Sequence, residues 1–478
     1  MEAAPHSFID GAPIPADGEL LTLINPFTMG SVCAITDVSP VVVDLAARNA
    51  NRAFLRNRDR SVAERARWLE NCADTLSAHV DEIVELLVSD IGKPRRSATF
   101  EVRRSVAFVR LCAAQILSLE CTVPVLDATD AGHGHMGFTN RVPYGVVAAI
   151  TPFNAPVNLL IQKVVPALAA GNAVVVKPHP AGTRAALKIA ELFAAAGLPP
   201  GLLNVVTGDR GPATALVRHP LVRAVTFTGG SPAGNALVRA AGAKKFVAEL
   251  GSNAANIVLA DADLKDAARS IARAAFEASG QQCISAQRVI VERCAMDTFL
   301  QAFVSAASEL VVGDPGLETT DVGPMVSVAA ADRVEKMLAD TISKGSRYAL
   351  TPRRENCVIS PAIIVNAEFD TPLWQDEVFG PAVTVHAAES PSHALSMAND
   401  SPFGLQGALF TASLDCALAF AKSFDVGSLW INEPSRFRLD TVPFGGVKDS
   451  GYGREGVRYA IEEMSQLKFV GIRVRATM

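Results

Sequence analysis

The sequence predicts an α/β protein built on two doubly wound parallel sheets, and three observations predict it. From Gly145 onward, short apolar strands alternate with helical stretches; a second run of the same alternation begins at Ala255; and a glycine turn, Thr228-Gly229-Gly230, joins a strand to a helix. Alternation at this spacing is the mark of a parallel sheet covered by helices on both faces.

Taken in order, residues 8–17 and 20–35 read as a short β-hairpin region. Residues 41–57 and 61–90 carry apolar side chains at helical spacing. Pro94 punctuates the chain, and a helix resumes over 97–119 with Glu101, Arg103 and Arg104 near its start. The first alternating run is strand 146–150, helix 159–170, strand 173–177, helix 184–196, strand 203–207, helix 212–217, strand 224–228 and helix 233–240. The second run is strand 257–260, helix 264–278, strand 288–291 and helix 296–310, with further elements through Trp430. Residues 142–162 are uncharged and about as long as a membrane span. Prolines 143, 152 and 156 interrupt them, however, and backbone groups freed by such breaks find no water in lipid. A buried strand leading into a functional loop is expected there. No internal repeat or long low-complexity linker is evident.

The chain of 478 residues predicts two or three domains, and its 49% hydrophobic and 19% charged residues suit a large buried core. A net charge of −5 without a basic stripe argues against nucleic acid as a partner. None of the 8 cysteines shows CxxC spacing, so no metal site is expected, and they read as mostly buried thiols of a reducing cytosol. The first residues lack the basic-then-apolar layout of a signal peptide, so a cytoplasmic location is expected.

Three residues stand out chemically. Cys283 lies in the polar turn Ser279-Gly280-Gln281-Gln282-Cys283, read as an exposed loop position where reactive groups tend to sit. A thiol is only a few per cent ionised at neutral pH, yet it is a strong nucleophile. Glu249 ends the apolar stretch Phe246-Val247-Ala248, so burial should raise its pKa and suit it to general-base work. Asn154 sits in Thr151-Pro152-Phe153-Asn154-Ala155-Pro156, a turn stiffened by prolines, from which an amide can donate to a developing oxyanion. Taken singly, each has a plainer reading as a core thiol, a surface carboxylate or a self-satisfied turn residue, and the other cysteines keep the first of these. The segment Phe227-Thr228-Gly229-Gly230-Ser231-Pro232-Ala233-Gly234 runs from strand to helix start, where backbone amides suit a pyrophosphate, although it is not the full GxGxxG fingerprint.

Together these features resemble the aldehyde dehydrogenase superfamily over essentially the whole chain, and loosely its lactaldehyde and non-phosphorylating glyceraldehyde-3-phosphate branch. The resemblance rests on Thr151-Pro152-Phe153-Asn154, Lys177-Pro178, Phe227-Thr228-Gly229, Glu249-Leu250-Gly251, Gly280-Gln281-Gln282-Cys283, Glu377-Val378-Phe379-Gly380-Pro381 and Pro443-Phe444-Gly445-Gly446. It implies NAD(P)-dependent oxidation of an aldehyde to a carboxylic acid. Cys283 would attack the aldehyde, the Asn154 amide and the Cys283 N–H would steady the oxyanion, and Glu249 would activate the water that releases the thioester. Lys177 would bind the adenine-side ribose, with His179 and Pro180 beside it. Thr151, Pro152 and Phe153 would line the cofactor crevice. Gly229, Gly230, Ser231 and Gly234, then Leu250 and Gly251, would complete it, while Glu377 and Phe379 would hold the nicotinamide ribose and ring. The implied architecture is an NAD(P)-binding domain over 1–121 and 141–250, a catalytic domain over 251–443, and a β oligomerisation arm over 122–140 and 455–478. Such an arm exposes strand edges, so a homodimer or homotetramer is expected.

The sequence also departs from the family pattern. Many relatives carry Glu three residues after the cofactor lysine, where it repels a 2′-phosphate; here that position is Pro180, so NADP is expected to be tolerated or preferred. Gly230 stands where Ser or Thr is usual. The substrate pocket would be lined by Val157, Gln282, Ile284, Phe437 and Phe444, with Arg103 and Arg436 as further candidates. Gln282 stands where phosphate-accepting members often have Arg, which disfavours a phosphorylated aldehyde, whereas Arg436 and Arg438 suit a carboxylate or another anion through their bidentate forks. Pairing of these arginines with Glu433 or Asp440 at the surface is the plainer expectation. A CoA-acylating dehydrogenase is the nearest rival, disfavoured by Glu249, and a non-catalytic protein retaining the fold is disfavoured by the intact Cys283, Glu249 and Asn154 set.

Overall fold

The computed structural model describes residues 6–15 and 17–474. Ala16 of the expected hairpin, and residues 1–5 and 475–478 of the expected terminal segments, lie outside the described residues.

An eight-stranded sheet has the order Ala12–Pro13, Phe8–Ile9, Leu203–Val205, Ala173–Pro178, Val146–Thr151, Val222–Thr228, Lys245–Glu249 and Gly451–Tyr452. From Leu203–Val205 through Lys245–Glu249 every neighbouring pair is parallel. The Val146–Thr151 and Ala173–Pro178 strands are buried at every position. Strands covered on both faces read as continuous apolar runs for that reason. The chain steps from Val146–Thr151 outward to Leu203–Val205, then returns to build Val222–Thr228 and Lys245–Glu249 on the other side. This reversal leaves a crevice at the carboxyl ends of Val146–Thr151 and Val222–Thr228, where ligands of such sheets bind.

A seven-stranded sheet has the order Arg347–Leu350, Ala362–Val365, Ala382–Ala388, Arg288–Glu292, Ala255–Val258, Gln406–Phe410 and Ser428–Ile431. Only Arg347–Leu350 runs antiparallel to its neighbour. A separate antiparallel pair joins His135–Pro143 to Ser465–Arg473, with Phe469 opposite Thr139.

Some elements differ from expectation. Residues 61–90 form two helices, Val62–Ala78 and Val80–Ile91, broken at His79. A Ser61–Glu64 capping box starts the first. Asp81 and Glu82 in the first turn complement the dipole of the second. The helix expected over 264–278 stops at Phe276, because Ala278 and Ser279 take left-handed φ values of 53° and 59° and turn the chain. Cys121 and Cys294 are exposed, contrary to the core reading. The 142–162 stretch does follow expectation: it holds the buried Val146–Thr151 strand, a turn and the start of the wholly buried Asn158–Ala169 helix. No helix among the described residues is long and apolar enough to cross a membrane.

Candidate active site

Three distant segments meet at Cys283. Its Sγ lies 2.8 Å from Glu249 Oε1, with the thiol donating. Glu249 ends the Lys245–Glu249 strand, and its Oε2 accepts from Thr228 Oγ1 at 3.2 Å. Asn154 Nδ2 donates to the Gln281 carbonyl at 2.9 Å, two residues before the cysteine. A carbonyl accepts only from the NH₂ side of an amide, so this bond fixes the Asn154 side chain and leaves its second N–H unpaired among the described residues. The cysteine loop is not the exposed turn expected from its polarity: Ala278 through Gln281 are buried and Cys283 is half-buried. Its polar groups turn inward to the backbone. Ser279 Oγ donates to the Gly323 carbonyl at 2.7 Å, and Gln281 Oε1 accepts from the Val326 N–H at 2.9 Å.

Burial dominates the electrostatics here. It pushes the Glu249 carboxyl up, Glu455 adds to the rise, and Arg438 and Lys163 pull against it. Burial and the neighbouring Glu249 likewise hold the Cys283 thiol well above its ordinary range. Burial also opposes the Glu455 charge, but Lys163 at 2.8 Å and Arg438 at 3.0 Å outweigh it and bring Glu455 down to about 2.

The two arginines do not pair as expected. Arg438 is an internal group: besides Glu455 it donates to Gln162 Oε1 at 2.7 Å, and its guanidinium carbon stands 3.6 Å from the Phe444 ring centre. Arg436 donates to Gln282 Oε1 at 2.8 Å and to Glu277 Oε2 at 2.5 Å. Asp440, offered as a partner for either, accepts both forks of Arg104 instead. Ile284 and Phe444 pack with Leu405 against Cys283 as an apolar wall. Phe437 meets Trp430 edge-on at 4.7 Å. Val157 is fully buried with its amide on Glu101, so it supports the site from beneath rather than lining it. Arg103 is exposed on the Arg95–Gln115 helix and bonds none of these residues.

The crevice beside this cluster suits a polar, extended ligand. Lys177, one residue from the end of its strand, is buried; burial lowers its ammonium to about 8 against the pull of Asp209 and Asp37. Thr151 Oγ1 is buried without a partner among the described residues. The His179 N–H donates to the Thr151 carbonyl, and Pro180 opens a short turn capped by His179. Gly230 caps the Ser231–Ala241 helix, and Gly234 lies so close to Leu250 that a Cβ would come within 2.3 Å of it. A Cβ on Gly251 would stand 3.0 Å from Glu377 Oε2 and 3.1 Å from Ser231 Oγ, so this backbone is free of side chain where the walls converge. Glu377 accepts from the Ser252 N–H at 2.9 Å, and burial pushes it up to about 7. Pro152 leads into Phe153, whose ring lies 5.2 Å from His179 and 5.9 Å edge-on from Phe379. Phe379 holds a left-handed φ of 45°. A buried ammonium, an unpartnered hydroxyl and a side-chain-free cradle at a sheet's reversal point fit a dinucleotide.

Residues 14–470 match the model of the aldehyde dehydrogenase family. The chain belongs to that family. The 3-sulfolactaldehyde dehydrogenase of Priestia aryabhattai is 38% identical over 453 residues, covering 95% of this chain and 94% of that protein. The lactaldehyde dehydrogenase of Methanocaldococcus jannaschii is 35% identical, over 97% of this chain and 99% of its own. The crystal structure of NADP-dependent glyceraldehyde-3-phosphate dehydrogenase from Bacillus halodurans, complexed with NADP, superposes with a TM-score of 0.96 at 31% identity, covering 99% of this chain and 100% of that one. The protein is therefore an aldehyde-oxidising, NAD(P)-dependent enzyme.

Sequence reasoning missed several groups of this aldehyde dehydrogenase. Lys163 and Glu455 form a buried ion pair behind Glu249, and Thr228 holds the carboxylate directly. One signal was present: Lys163 is a lone charge within the apolar helix Asn158–Ala169, and a buried charge demands a partner.

Proposed function

We propose that this aldehyde dehydrogenase makes a carboxylic acid through a thioester on Cys283. The observation that carries the reading is the 2.8 Å contact between Cys283 Sγ and Glu249 Oε1, beside an anchored Asn154 amide. Glu249 takes the thiol proton, and the sulfur adds to the carbonyl carbon. The new oxyanion then receives the free Asn154 N–H and the Cys283 backbone N–H. A nicotinamide dinucleotide, when bound against Lys177, Glu377, Phe379 and the amides at Gly229-Gly230-Ser231, supplies the hydride acceptor. Loss of hydride leaves a C–S thioester. Glu249 first passes the thiol proton to solvent, then removes a proton from water; the water oxygen attacks the acyl carbon, the C–S bond breaks to release the acid, and Glu249 returns its proton to the thiolate.

Pro180 in place of an acidic residue supports acceptance of NADP, and an NAD preference of about a hundredfold in kcat/KM would count against it. For the substrate, Arg436 supports a short aldehyde carrying an anionic group, in keeping with a relative named for a sulfo substituent, while Gln282 beside it weighs against a phosphorylated one. The two sheets and the outlying strand pair support a division into an NAD(P)-binding domain, a catalytic domain and an arm, and the exposed strands of the arm support a homodimer or homotetramer.

The deciding experiment uses Glu249→Gln. With aldehyde and dinucleotide it should release about one equivalent of reduced cofactor, more slowly than wild type because the thiol has lost its base, and then stall as the acyl-enzyme, detectable by intact-protein mass. Steady turnover by the variant, or wild-type acid formation that depends on added CoA, would sink the proposal.

A further inference from the structure

We infer that Lys93 and Glu101 are positioning residues for the Asn154 amide; this rests on the reading of Asn154 as an oxyanion donor. The two form an ion pair whose side chains are only 5% and 4% exposed. Burying such a pair costs desolvation that its attraction does not reliably return, so stability alone is a weak reason for it. Its remaining contacts all fall on one short segment. Lys93 Nζ donates to the Asn154 carbonyl at 2.9 Å, while Glu101 Oε1 accepts from the Val157 N–H at 2.9 Å and the Asn158 N–H at 3.0 Å. Both ends of the 154–158 turn are thereby held by one buried charge pair. A carboxylate at the start of the Asn158–Ala169 helix also complements that helix's dipole.

The same frame reaches the nucleophile's loop. Gly92, next to Lys93, packs so tightly on Pro324 that a Cβ would come within 2.2 Å of its ring. The Gly323–Pro324 carbonyls are the groups that Ser279 and Gln281 donate to. Gly92, Lys93, Phe153, Asn154, Gln281 and Pro324 all border one cleft. The Lys93 turn therefore holds the oxyanion donor on one side and the anchor of the cysteine loop on the other. Misplacing a reacting group by about 1 Å can cost on the order of a hundredfold in rate.

A double-mutant cycle tests this. Asn154→Ala alone should lower kcat about a hundredfold or more; if it does not, the oxyanion reading itself falls. Lys93→Met with Glu101→Gln removes the charges together and keeps an acceptor for the Val157 and Asn158 amides. In the wild-type background this pair should lower kcat about ten- to a hundredfold, with KM for aldehyde and dinucleotide each within about threefold. In the Asn154→Ala background the same pair should change kcat by less than about threefold, because the group it positions is gone. Equal losses in both backgrounds, or no loss in either, would overturn the inference. Should the double variant not fold, as judged by its melting and dinucleotide titration, the isosteric Glu101→Gln alone serves. It should lower kcat at least about threefold with Asn154 present and not without it, and an unchanged or background-independent kcat would be decisive against the assignment.

Discussion

Arg436 and Glu377 are the two residues whose surroundings lead to measurable consequences of their own. Arg436 spends two donors on Gln282 and Glu277 and, with its side chain 22% exposed, keeps others for a substrate anion. Arg436→Ala should therefore lower kcat/KM about tenfold or more for sulfo- or carboxylate-substituted aldehydes and leave neutral ones within about threefold. Equal losses on both classes would assign Arg436 to holding Gln282 and Glu277 in place. Glu377 is pushed up to about 7 from its ordinary 4.5, chiefly by burial. Its proton is thus bound more tightly in the folded protein, and the stability this confers is full below about 4.5 and gone above about 7. Glu377→Gln should accordingly gain stability relative to wild type at pH 8 but not at pH 4.5, by on the order of 3 kcal/mol at most, read from denaturant melts. If the carboxylate also holds a ribose, wild-type dinucleotide affinity should rise through pH 7 and the variant's should not. Cys283, Glu249 and Asn154 were legible because each lies in a short, chemically distinctive string. Lys163 and Glu455 were not, because only folding brings residues 292 positions apart into a 2.8 Å contact.

Among the elements, the turn from Phe276 to Cys283 carries the strain of the site. Ala278 and Ser279 are left-handed without being glycine, and Gly280 follows at φ 64°. A Cβ on Gly280 would lie 2.2 Å from the Gly380 carbonyl oxygen, a backbone atom that cannot swing aside. Gly280→Ala should therefore cost about 2 kcal/mol or more and abolish turnover, measured as a fall in Tm alongside activity. Gly211→Ala is the matched control, since its Cβ would meet nothing within 4 Å; its Tm should hold or rise slightly. The sequence predicted the helix ahead of this turn but ran it two residues too far, through Ala278. Apolar periodicity continued past the point where tertiary contacts reversed the chain. The same limit merged Val62–Ala78 with Val80–Ile91, whose junction at His79 leaves no proline or glycine to mark it.

For the molecule as a whole, the outlying pair of His135–Pro143 and Ser465–Arg473 is the least self-sufficient part. Leu467 and Phe469 are 64% and 52% exposed, and a two-stranded ribbon buries too little to be stable unaided. Leu467→Asp with Phe469→Asp should give a smaller assembly by light scattering, and an unchanged mass would place the subunit contact elsewhere. The two main sheets were legible because buried parallel strands are short apolar runs set between helices. The Phe8–Ile9 and Ala12–Pro13 hairpin was legible as β structure but not as an extension of the first sheet, and Gly451–Tyr452 is two residues long and too short for any period to register. The setting of Cys283 also bears on its chemistry with oxidants. A thiol kept protonated by a dry setting and an adjacent carboxyl is a poor target for peroxide, which attacks the thiolate. The exposed sulfurs of Cys121 and Cys294 should therefore take up a thiol-directed oxidant before Cys283 does, a difference that peptide mass spectrometry would read.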